Sequence, residues 1–339
     1  MVSIFKAAAL EPLFTGALLY TLPTLRPSLL ERLPPSLYSV IQSPQTAKAL
    51  TLLLILGILK RTNNVLSRLA LNNWTGSDRW DGGKELVVVT GGASGIGEKV
   101  TANLAARGVK VIILDVNAPK TPLPPNVAFF EVNITSSDAV RDVANEIRTT
   151  YGHPTILVNN AGVGDGGTIL NGTEASVRRT FDVNTISHFV LVKEFLPDMI
   201  RNNHGHIVTV ASMASFVTAG DMIAYACSKA SALAFHEGLA QELRYWYNAP
   251  KVRTSIVHPS WVSTPMTQKL QDADKGFRRS ALQVETVSDA IVNQLISGSS
   301  GQIILPATLS GAALVRALPF WIQEAVRGSV TKMLIRAGV

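Results

Sequence analysis

The sequence has little of what several classes of protein need. Cys227 is the single cysteine, which excludes an internal disulfide framework and a metal cluster built from cysteines. Charged residues make up only 16% of the 339 positions, whereas 47% are hydrophobic. That balance excludes a disordered or collagen-like chain. The composition therefore predicts a folded protein that is unusually apolar for an enzyme free in solution.

The net charge of +7 lies at the two ends of the chain. Residues 1–80 carry eight Lys/Arg against three acidic residues, and residues 307–339 carry four against Glu324 alone. A nucleic-acid-binding protein is expected to hold its basic excess on the folded domain. Basic excess on apolar ends indicates a membrane surface instead. We predict an anchor region over 1–80, a neutral globular domain over 81–306 and a basic amphipathic segment over 307–339.

The N-terminal region has two apolar stretches, from Pro12 to Leu22 and from Ala49 to Leu59. The second belongs to a helix predicted from Ser43-Pro44 toward Arg68. The prolines between the stretches predict a connector: Pro23, Pro27, Pro34 and Pro35. The 11-residue run from Ala49 is shorter than the roughly 20 residues of a spanning helix, and it lies too far along the chain for a secretory signal.

Two interpretations of this region stay open. One is a helical extension packed on the domain. The other, which we favour, is a monotopic hairpin or interfacial anchor, because the apolar run is closed by Lys60 and Arg61 at headgroup level. At the other end of the chain, Pro319 opens a predicted helix, either docked on the core or forming a second membrane contact.

From Leu86 onward, short apolar runs alternate with amphipathic segments. The runs predict strands over 86–89, 111–114, 127–132, 155–158, 206–210, 253–257 and 302–305. Such an alternation is typical of an α/β fold, a doubly wound parallel sheet with helices on both faces.

A glycine-rich turn follows the first predicted strand. Gly91 permits a tight strand-to-helix turn, Gly95 lets the backbone approach a pyrophosphate, and Gly97 lets helix and strand pack closely. The phosphates would lie at the helix N-terminus, beside Ser94 and Ile96. Gly97-Glu98-Lys99 departs from the Gly-Lys-Ser/Thr of a P-loop, which excludes a nucleotide triphosphatase.

Asp115 ends the second predicted strand, 18 residues after Gly97. A carboxylate there can accept hydrogen bonds from the adenosine ribose and would repel the extra phosphate of NADP. No basic residue lies in the glycine turn to offset it. We therefore predict NAD as the cofactor, with NADP as the alternative.

Tyr225 and Lys229 are four residues apart, which places them on one face of a helix. An ammonium beside a phenol lowers the phenol pKa from about 10, so we expect Lys229 to make Tyr225 a usable acid/base. Ser212 ends the preceding strand and could orient a substrate alcohol or carbonyl.

From about residue 85 to 306 the chain resembles the classical short-chain dehydrogenase/reductase family, and it does so through five motifs taken in order. These are Thr90-Gly91-Gly92-Ala93-Ser94-Gly95-Ile96-Gly97, Asn159-Asn160-Ala161-Gly162, Asn184, Ser212 and Tyr225-x-x-x-Lys229. The resemblance implies a Rossmann-type sheet and an NAD(P)-dependent oxidoreductase acting on an alcohol or its ketone or aldehyde.

The resemblance also implies residue roles. Tyr225 is the general acid/base, Ser212 steadies the reacting oxygen, Lys229 binds the nicotinamide ribose, and Asn184 holds a water of the proton relay. Cofactor contacts are implied for Asn133, Ile134, Asn160, Ala161, Gly162, Val262 and Thr264. The family's Pro-Gly after the sixth strand is here Pro259-Ser260, which calls the local backbone angle into question.

Trp80-Asp81-Gly82-Gly83-Lys84 and the N-terminal region resemble a narrower subgroup, the membrane- and lipid-droplet-associated members that act on retinol and hydroxysteroids. The implied substrate is a lipophilic alcohol, under a lid over Ser263 to Val284. The implied location is the endoplasmic reticulum or lipid droplets with a cytosolic catalytic domain. A homodimer or homotetramer through helices over 176–200 and 222–247 is also implied.

Oxidation of a lipophilic alcohol is the favoured function. One alternative is a biosynthetic ketone reductase or alcohol dehydrogenase acting on a terpenoid or polyketide intermediate, and another is a non-catalytic lipid-surface protein. We predict no metal site, because the six histidines show no ligand spacing paired with acidic residues, at positions 153, 188, 204, 206, 236 and 258.

Overall fold

The computed structural model describes residues 10–24, 34–76, 80–273 and 275–336. The chain divides into two compact units, one up to Leu71 and one from Asn72 onward. Pro27 and most of the predicted proline connector lie outside the described residues.

The first unit is helical. It contains α1 (Pro12–Thr24), α2 (Pro35–Gln42) and α3 (Pro44–Leu71). As predicted, α3 begins at Pro44, where the Ser43 carbonyl accepts a hydrogen bond from the Thr46 amide at 3.0 Å. It runs three residues beyond Arg68 and is, by length and composition, apolar enough to cross a membrane.

Close backbone packing holds α3 against the segment that starts α1. Gly57 is buried, and a Cβ atom there would lie 2.6 Å from the Leu10 carbonyl oxygen. The Glu11 carboxylate pairs with Arg61 at 3.0 Å. The remaining surface of α3 is largely uncovered within this unit, and its exposed apolar side chains include Leu52, Ile55, Leu56, Ile58 and Leu59.

The second unit is built on one seven-stranded parallel sheet of the order β3-β2-β1-β4-β5-β6-β7. The strands are β1 (Leu86–Thr90), β2 (Lys110–Asp115), β3 (Val127–Glu131), β4 (Ile156–Asn159), β5 (Gly205–Val210), β6 (Val252–Pro259) and β7 (Gly301–Leu305). Every predicted strand is present, and the doubly wound parallel sheet is confirmed. Strand order reverses between β1 and β4, and that reversal opens a crevice at their carboxyl ends.

Helices cover both faces of the sheet. They are α4 (Gly95–Ala105), α5 (Ser137–Thr150), α6 (Glu174–Phe181), α7 (Ser187–Asn202), α8 (Ile223–Gln241), α9 (Gln268–Ala273), α10 (Lys275–Ser280), α11 (Val284–Ile296) and α12 (Phe320–Arg336). One apolar layer packs α5, α7 and α8 on the sheet, and the other packs α4 and α11. Both layers are rich in fully buried Val, Ile and Leu, the residues that a sheet covered on both faces requires.

Within the second unit, the C-terminal segment packs on the rest of the domain. After β7 the chain forms a 3₁₀ stretch over Ala307–Ala317, and α12 follows Pro319 as predicted. Leu334 of α12 is buried in a small apolar cluster with Phe277, whereas Phe320 and Trp321 at the start of the helix are exposed. Of the two interpretations of this helix, docking on the core therefore applies to its last turns.

Candidate active site

The turn between β1 and α4 has no room for side chains at its glycines. Gly91 and Gly95 have φ angles of +64° and +56°, which favour glycine. A Cβ atom at Gly91 would lie 2.9 Å from the Ala161 Cα, and one at Gly97 would collide with the Gly91 carbonyl. The turn therefore keeps its backbone close to the surface of the crevice.

The first turn of α4 fits an anionic group. Its amides are unpaired within the helix, as at any helix start, and attract negative charge. Ser94 precedes the helix, is exposed, and makes no capping bond with its hydroxyl. The glycine cradle, the hydroxyl and the helix start together suit the pyrophosphate of a dinucleotide.

Asp115 lies beside this turn. Its Oδ2 accepts a hydrogen bond from the Ala93 amide at 3.0 Å, and its Oδ1 accepts one from the Asn117 amide at 3.0 Å. Its carbonyl also accepts from the Val132 amide, which brings Asn133 and Ile134 to the same edge of the sheet. The structure thus gathers the predicted ribose and adenine residues in one place.

Thr90, to which the sequence assigned no role, joins the two strands at the crevice. Its hydroxyl accepts hydrogen bonds from the amides of Asn160 and Ala161, each at 3.0 Å. The Asn160 side chain donates to the carbonyls of Thr90 and Gly91, at 2.9 and 3.2 Å. Asn160, which the family resemblance implied as a cofactor contact, therefore also shapes the glycine turn with its side chain.

Ser212, Tyr225 and Lys229 come together past the end of β5. The Ser212 hydroxyl accepts a hydrogen bond from the Ala214 amide at 3.1 Å and lies within hydrogen-bonding reach of the Tyr225 phenol. Lys229 is buried; its Nζ donates to the Val210 carbonyl at 2.9 Å and lies 5.7 Å from the centre of the Tyr225 ring. The predicted Tyr–Lys pair is thus on one face of α8.

The expected lowering of the Tyr225 pKa is wrong for this structure. Burial raises the pKa of the phenol, and the hydrogen bond with Ser212 offsets only part of that rise. Burial also lowers the pKa of Lys229 to about 8. A lysine that is itself poorly solvated, and whose nitrogen is not in hydrogen-bond contact with the phenol, does not overcome the desolvation of its neighbour.

Asn184 lies in a π-helical turn over Asp182–Ile186 and is fully buried. Its Nδ2 donates to the Val163 carbonyl at 2.8 Å and to the Ser228 hydroxyl at 3.0 Å, while its Oδ1 accepts from the Val163 amide at 2.8 Å. The side chain therefore ties the loop after β4 to α8. A Cβ atom at Gly162 would lie 3.4 Å from Lys229 Nζ and 3.5 Å from Asn184 Oδ1. Gly162 therefore lies beside both of these groups.

The segment after β6 reaches back over the glycine turn. A Cβ atom at Gly95 would lie 3.5 Å from the Thr264 Cγ2, and Val262 is buried beside Leu282. Ser260 does not have a positive φ angle, so serine costs no backbone strain at the position where the family has glycine. The departure from the family pattern is therefore harmless to the backbone.

The predicted lid packs on an apolar cluster. The predicted lid contains α9 and α10, and Asp274 between them lies outside the described residues. A cluster joins the lid to α12 and to the loop after Ser212; its members are Ala219, Met222, Trp261, Leu270, Phe277, Val330, Met333 and Leu334. Gly164 lies against the Tyr225 ring, where a Cβ atom would be 3.0 Å from Cδ2.

The C-terminal segment holds the loop between Ser212 and Tyr225 at two points. Arg316 donates to the Ser215 carbonyl at 3.1 Å, and the Thr331 hydroxyl accepts from the Gly220 amide at 3.0 Å. The sequence pattern does not predict these contacts. They tie the C-terminal segment to the loop that joins Ser212 to Tyr225.

Within the described ranges, no three His, Cys, Asp or Glu side chains are grouped closely enough to hold a metal ion. Burial lowers the pKa of four histidines to values of about 3 or about 4, so they are neutral near pH 7; they are His188, His206, His236 and His258.

Comparisons with known proteins agree with this geometry. A family model described as short chain dehydrogenase matches residues 85–275. Dehydrogenase RED2 of Cochliobolus heterostrophus is 46% identical over 194 residues, which cover 57% of this chain and 73% of that protein. Estradiol 17-beta-dehydrogenase 11 of Macaca fascicularis is 32% identical over 244 residues, covering 69% of this chain and 79% of that protein.

Solved structures share the fold. 4-Hydroxyisoleucine dehydrogenase complexed with NADH has a TM-score of 0.59 at 19% identity, over 65% of this chain and 96% of its own. A short-chain dehydrogenase from Streptomyces avermitilis has a TM-score of 0.60 at 21% identity, over 73% of this chain and 96% of its own.

Proposed function

Because this chain belongs to the short-chain dehydrogenase family and is therefore an oxidoreductase that acts on CH–OH groups with a nicotinamide dinucleotide, we propose that it oxidises a lipophilic alcohol to the ketone or aldehyde with NAD. The presence of both Tyr225 and Lys229, which a non-catalytic protein of this fold commonly loses, argues against the non-catalytic alternative. The observation that carries the proposal is the group formed by Ser212, Tyr225 and Lys229 at the edge of a crevice that fits a dinucleotide.

The proposed chemistry divides between the cofactor and three side chains. When bound, NAD supplies the acceptor for the hydride. Ser212 donates a hydrogen bond to the substrate oxygen, and the Tyr225 phenolate takes the hydroxyl proton at Oη. Lys229, with a pKa of about 8, holds its ammonium charge near neutrality and stabilises the phenolate by proximity.

A reductase function is the second candidate, and the raised Tyr225 pKa favours it. Burial keeps the phenol protonated at neutral pH, which is the form that donates a proton to a carbonyl oxygen. The rates of oxidation and reduction therefore depend on pH in opposite directions. Oxidation needs the phenolate and speeds up as pH rises toward the phenol pKa, whereas reduction needs the phenol and slows down above it.

We propose NAD rather than NADP because the Asp115 carboxylate lies at the predicted ribose position. Asp115→Asn is expected to lower the preference for NAD over NADP by about tenfold or more, since hydrogen bonds to a charged group contribute about 1.5–3 kcal/mol. Asparagine keeps an oxygen for the Ala93 amide, so the glycine turn stays in place. Fluorescence titration with NADH and NADPH measures the ratio.

Asp138→Asn is the matched control for that titration, because it removes the same charge from an exposed position in the first turn of α5. It is expected to leave the ratio unchanged. Tighter binding of NADPH than of NADH by the unaltered protein would contradict the proposed cofactor preference.

We propose that the substrate is lipophilic because the lid and α12 meet in an apolar cluster with Ala219 and Met222, which lie between Ser212 and Tyr225 in the chain. The relative named estradiol 17-beta-dehydrogenase 11 supports the same class of substrate. Leu270 and Phe277 belong to the lid, and Leu334 brings α12 to it. The partly buried members of this cluster, Met222, Trp261 and Met333, keep apolar surface for a hydrocarbon skeleton, and its reacting oxygen binds Ser212 and Tyr225.

We propose that the first unit anchors the protein on a membrane or lipid-droplet surface, with the catalytic unit in the cytosol. Ile55 and Leu59 are exposed on α3 one turn apart. The double variant Ile55→Glu/Leu59→Glu is expected to reduce flotation of the full chain with phosphatidylcholine vesicles at least about tenfold, because charged residues cost about 2.5–3.5 kcal/mol in the bilayer.

Asn63→Glu/Asn64→Glu adds the same charge to exposed polar positions of the same helix and is expected to float like the unaltered protein. The phosphatidylcholine vesicles carry no net charge, so repulsion between the lipid surface and the added carboxylates does not affect the comparison. Equal flotation of the two double variants would contradict the anchor.

A further inference from the structure

A buried histidine lies behind Ser212 and has no part in the proposed chemistry. His258, on β6, has no exposed surface. Its Nδ1 lies 3.1 Å from the Ser212 carbonyl oxygen, and its Nε2 lies 3.2 Å from the Gln302 side-chain nitrogen. The ring packs against Phe216 with the ring centres 4.5 Å apart. All of its polar atoms therefore have partners.

These partners allow one arrangement of protons. A carbonyl oxygen only accepts hydrogen bonds, so Nδ1 of His258 carries the proton and donates it to Ser212. Nε2 is then the acceptor for the Gln302 amide. Burial lowers the pKa of His258 to about 4, which keeps the ring in this neutral form. The donor toward Ser212 is consequently present at every pH near neutrality.

We propose that His258, held by Gln302, is a positioning residue that fixes the peptide group of Ser212 and thereby the direction of its hydroxyl. The inference rests on the proposed function of Ser212. The Ser212 hydroxyl is already held on one side by the Ala214 amide, and it faces the Tyr225 phenol. Holding the carbonyl of the same residue restricts rotation of the peptide that follows it.

Strand pairing gives this arrangement its rigidity. His258 and Gln302 lie on β6 and β7, where His258 is paired with Ile304 in the register of the sheet. The Ala211 amide, next to Ser212, donates to the Val257 carbonyl of β6. Side-chain and backbone contacts from one strand therefore hold both sides of the turn that carries Ser212.

Two amide variants separate positioning from packing. In His258→Asn the side-chain nitrogen reaches about the place of Nδ1 and still donates to Ser212. In His258→Gln the amide reaches about the place of Nε2, so the contact with Gln302 stays and the donor to Ser212 is lost. Both variants are neutral, and asparagine leaves the larger cavity of the two. A packing effect alone would therefore disturb His258→Asn more than His258→Gln, the opposite of the order expected from positioning.

Hydrogen–deuterium exchange of the full chain provides a readout that does not depend on turnover. We expect the backbone amides of residues 212–216 to exchange about tenfold faster in His258→Gln, the factor that one lost hydrogen bond produces, and at the rate of the unaltered protein in His258→Asn. We expect kcat to fall about tenfold or more in His258→Gln alone, with the KM for alcohol and the affinity for NADH unchanged.

His206→Gln is the control for loss of a buried histidine, because His206 lies near the start of β5, with Nε2 2.8 Å from the Ser255 hydroxyl. It is expected to leave exchange at 212–216 unchanged. Equal exchange in the two His258 variants, or faster exchange without a fall in kcat, overturns the proposal.

The proposed function and this inference fail in different ways. Absence of turnover by the unaltered protein counts against the proposed function. Hydrogen–deuterium exchange at residues 212–216 can still be compared between the two His258 variants in that case. If both His258 variants fail to fold, the ¹⁵N chemical shifts of His258 in the unaltered protein test the contact with Ser212. We expect Nδ1 to be the protonated ring nitrogen, and a neutral ring protonated at Nε2 instead overturns the proposal.

Discussion

Replacing Tyr225 with phenylalanine is expected to lower kcat/KM by about a thousandfold, within the range that general acid–base catalysis contributes. The variant removes only the phenolic oxygen. The ring keeps its packing against Gly164 and its distance from Lys229, so the site keeps its shape. Turnover is measured with saturating NAD, and NADH binding is measured by fluorescence and is expected to be unchanged.

Cys227→Ser is the matched control, since Cys227 is exposed on the same helix two residues from Tyr225. It is expected to retain full turnover. Below about pH 8, where Lys229 keeps its ammonium charge, the oxidation rate of the unaltered protein should rise about tenfold per pH unit, because burial raises the phenol pKa and only the phenolate accepts a proton. Substantial, pH-dependent turnover by Tyr225→Phe would contradict the assigned role.

Replacing Gly97 with alanine is expected to weaken NADH binding by at least about a hundredfold, the effect of a small misplacement in a preorganised site. The added Cβ would collide with the Gly91 carbonyl and with the Asn160 side chain, so the turn to which we assign the pyrophosphate must shift. Overpacking of this kind also costs about 1–3 kcal/mol of stability. Fluorescence titration and chemical unfolding measure the two effects separately.

Gly238→Ala is the control for a glycine inside a helix, because a Cβ atom at Gly238 would meet nothing within 4 Å. Alanine is the better helix former by about 1 kcal/mol, so this variant is expected to be slightly more stable and to bind NADH normally. Normal NADH binding by Gly97→Ala would contradict the assignment of the glycine turn to the cofactor.

The sheet could be predicted from the sequence because its signal is local. Each buried strand is a short run of Val, Ile and Leu between amphipathic helices, and parallel strands place their carboxyl ends at one edge. Gly97 and Asp115 could be placed near one another for that reason. The predicted bounds differ from the observed ones only at strand ends, as for β6, which extends to Pro259.

The remaining features depend on contacts between distant parts of the chain. The hydrogen bond from Arg316 to the Ser215 carbonyl spans 101 residues and leaves no periodic signal. The Tyr225 pKa was predicted in the wrong direction because the spacing of Tyr225 and Lys229 reveals their proximity but not their burial. Desolvation depends on everything packed around a group, and it outweighs one neighbouring charge here.

NAD-dependent oxidation of a lipophilic alcohol is measured by following NADH formation from NAD with the detergent-purified full chain and a panel of steroid, retinoid, terpenoid and long-chain alcohols. We expect NADH formation matched one to one by ketone or aldehyde, with a lipophilic alcohol preferred over short water-soluble ones. Protein that binds NADH but oxidises none of these alcohols, or that oxidises short polar alcohols best, would contradict the proposed function.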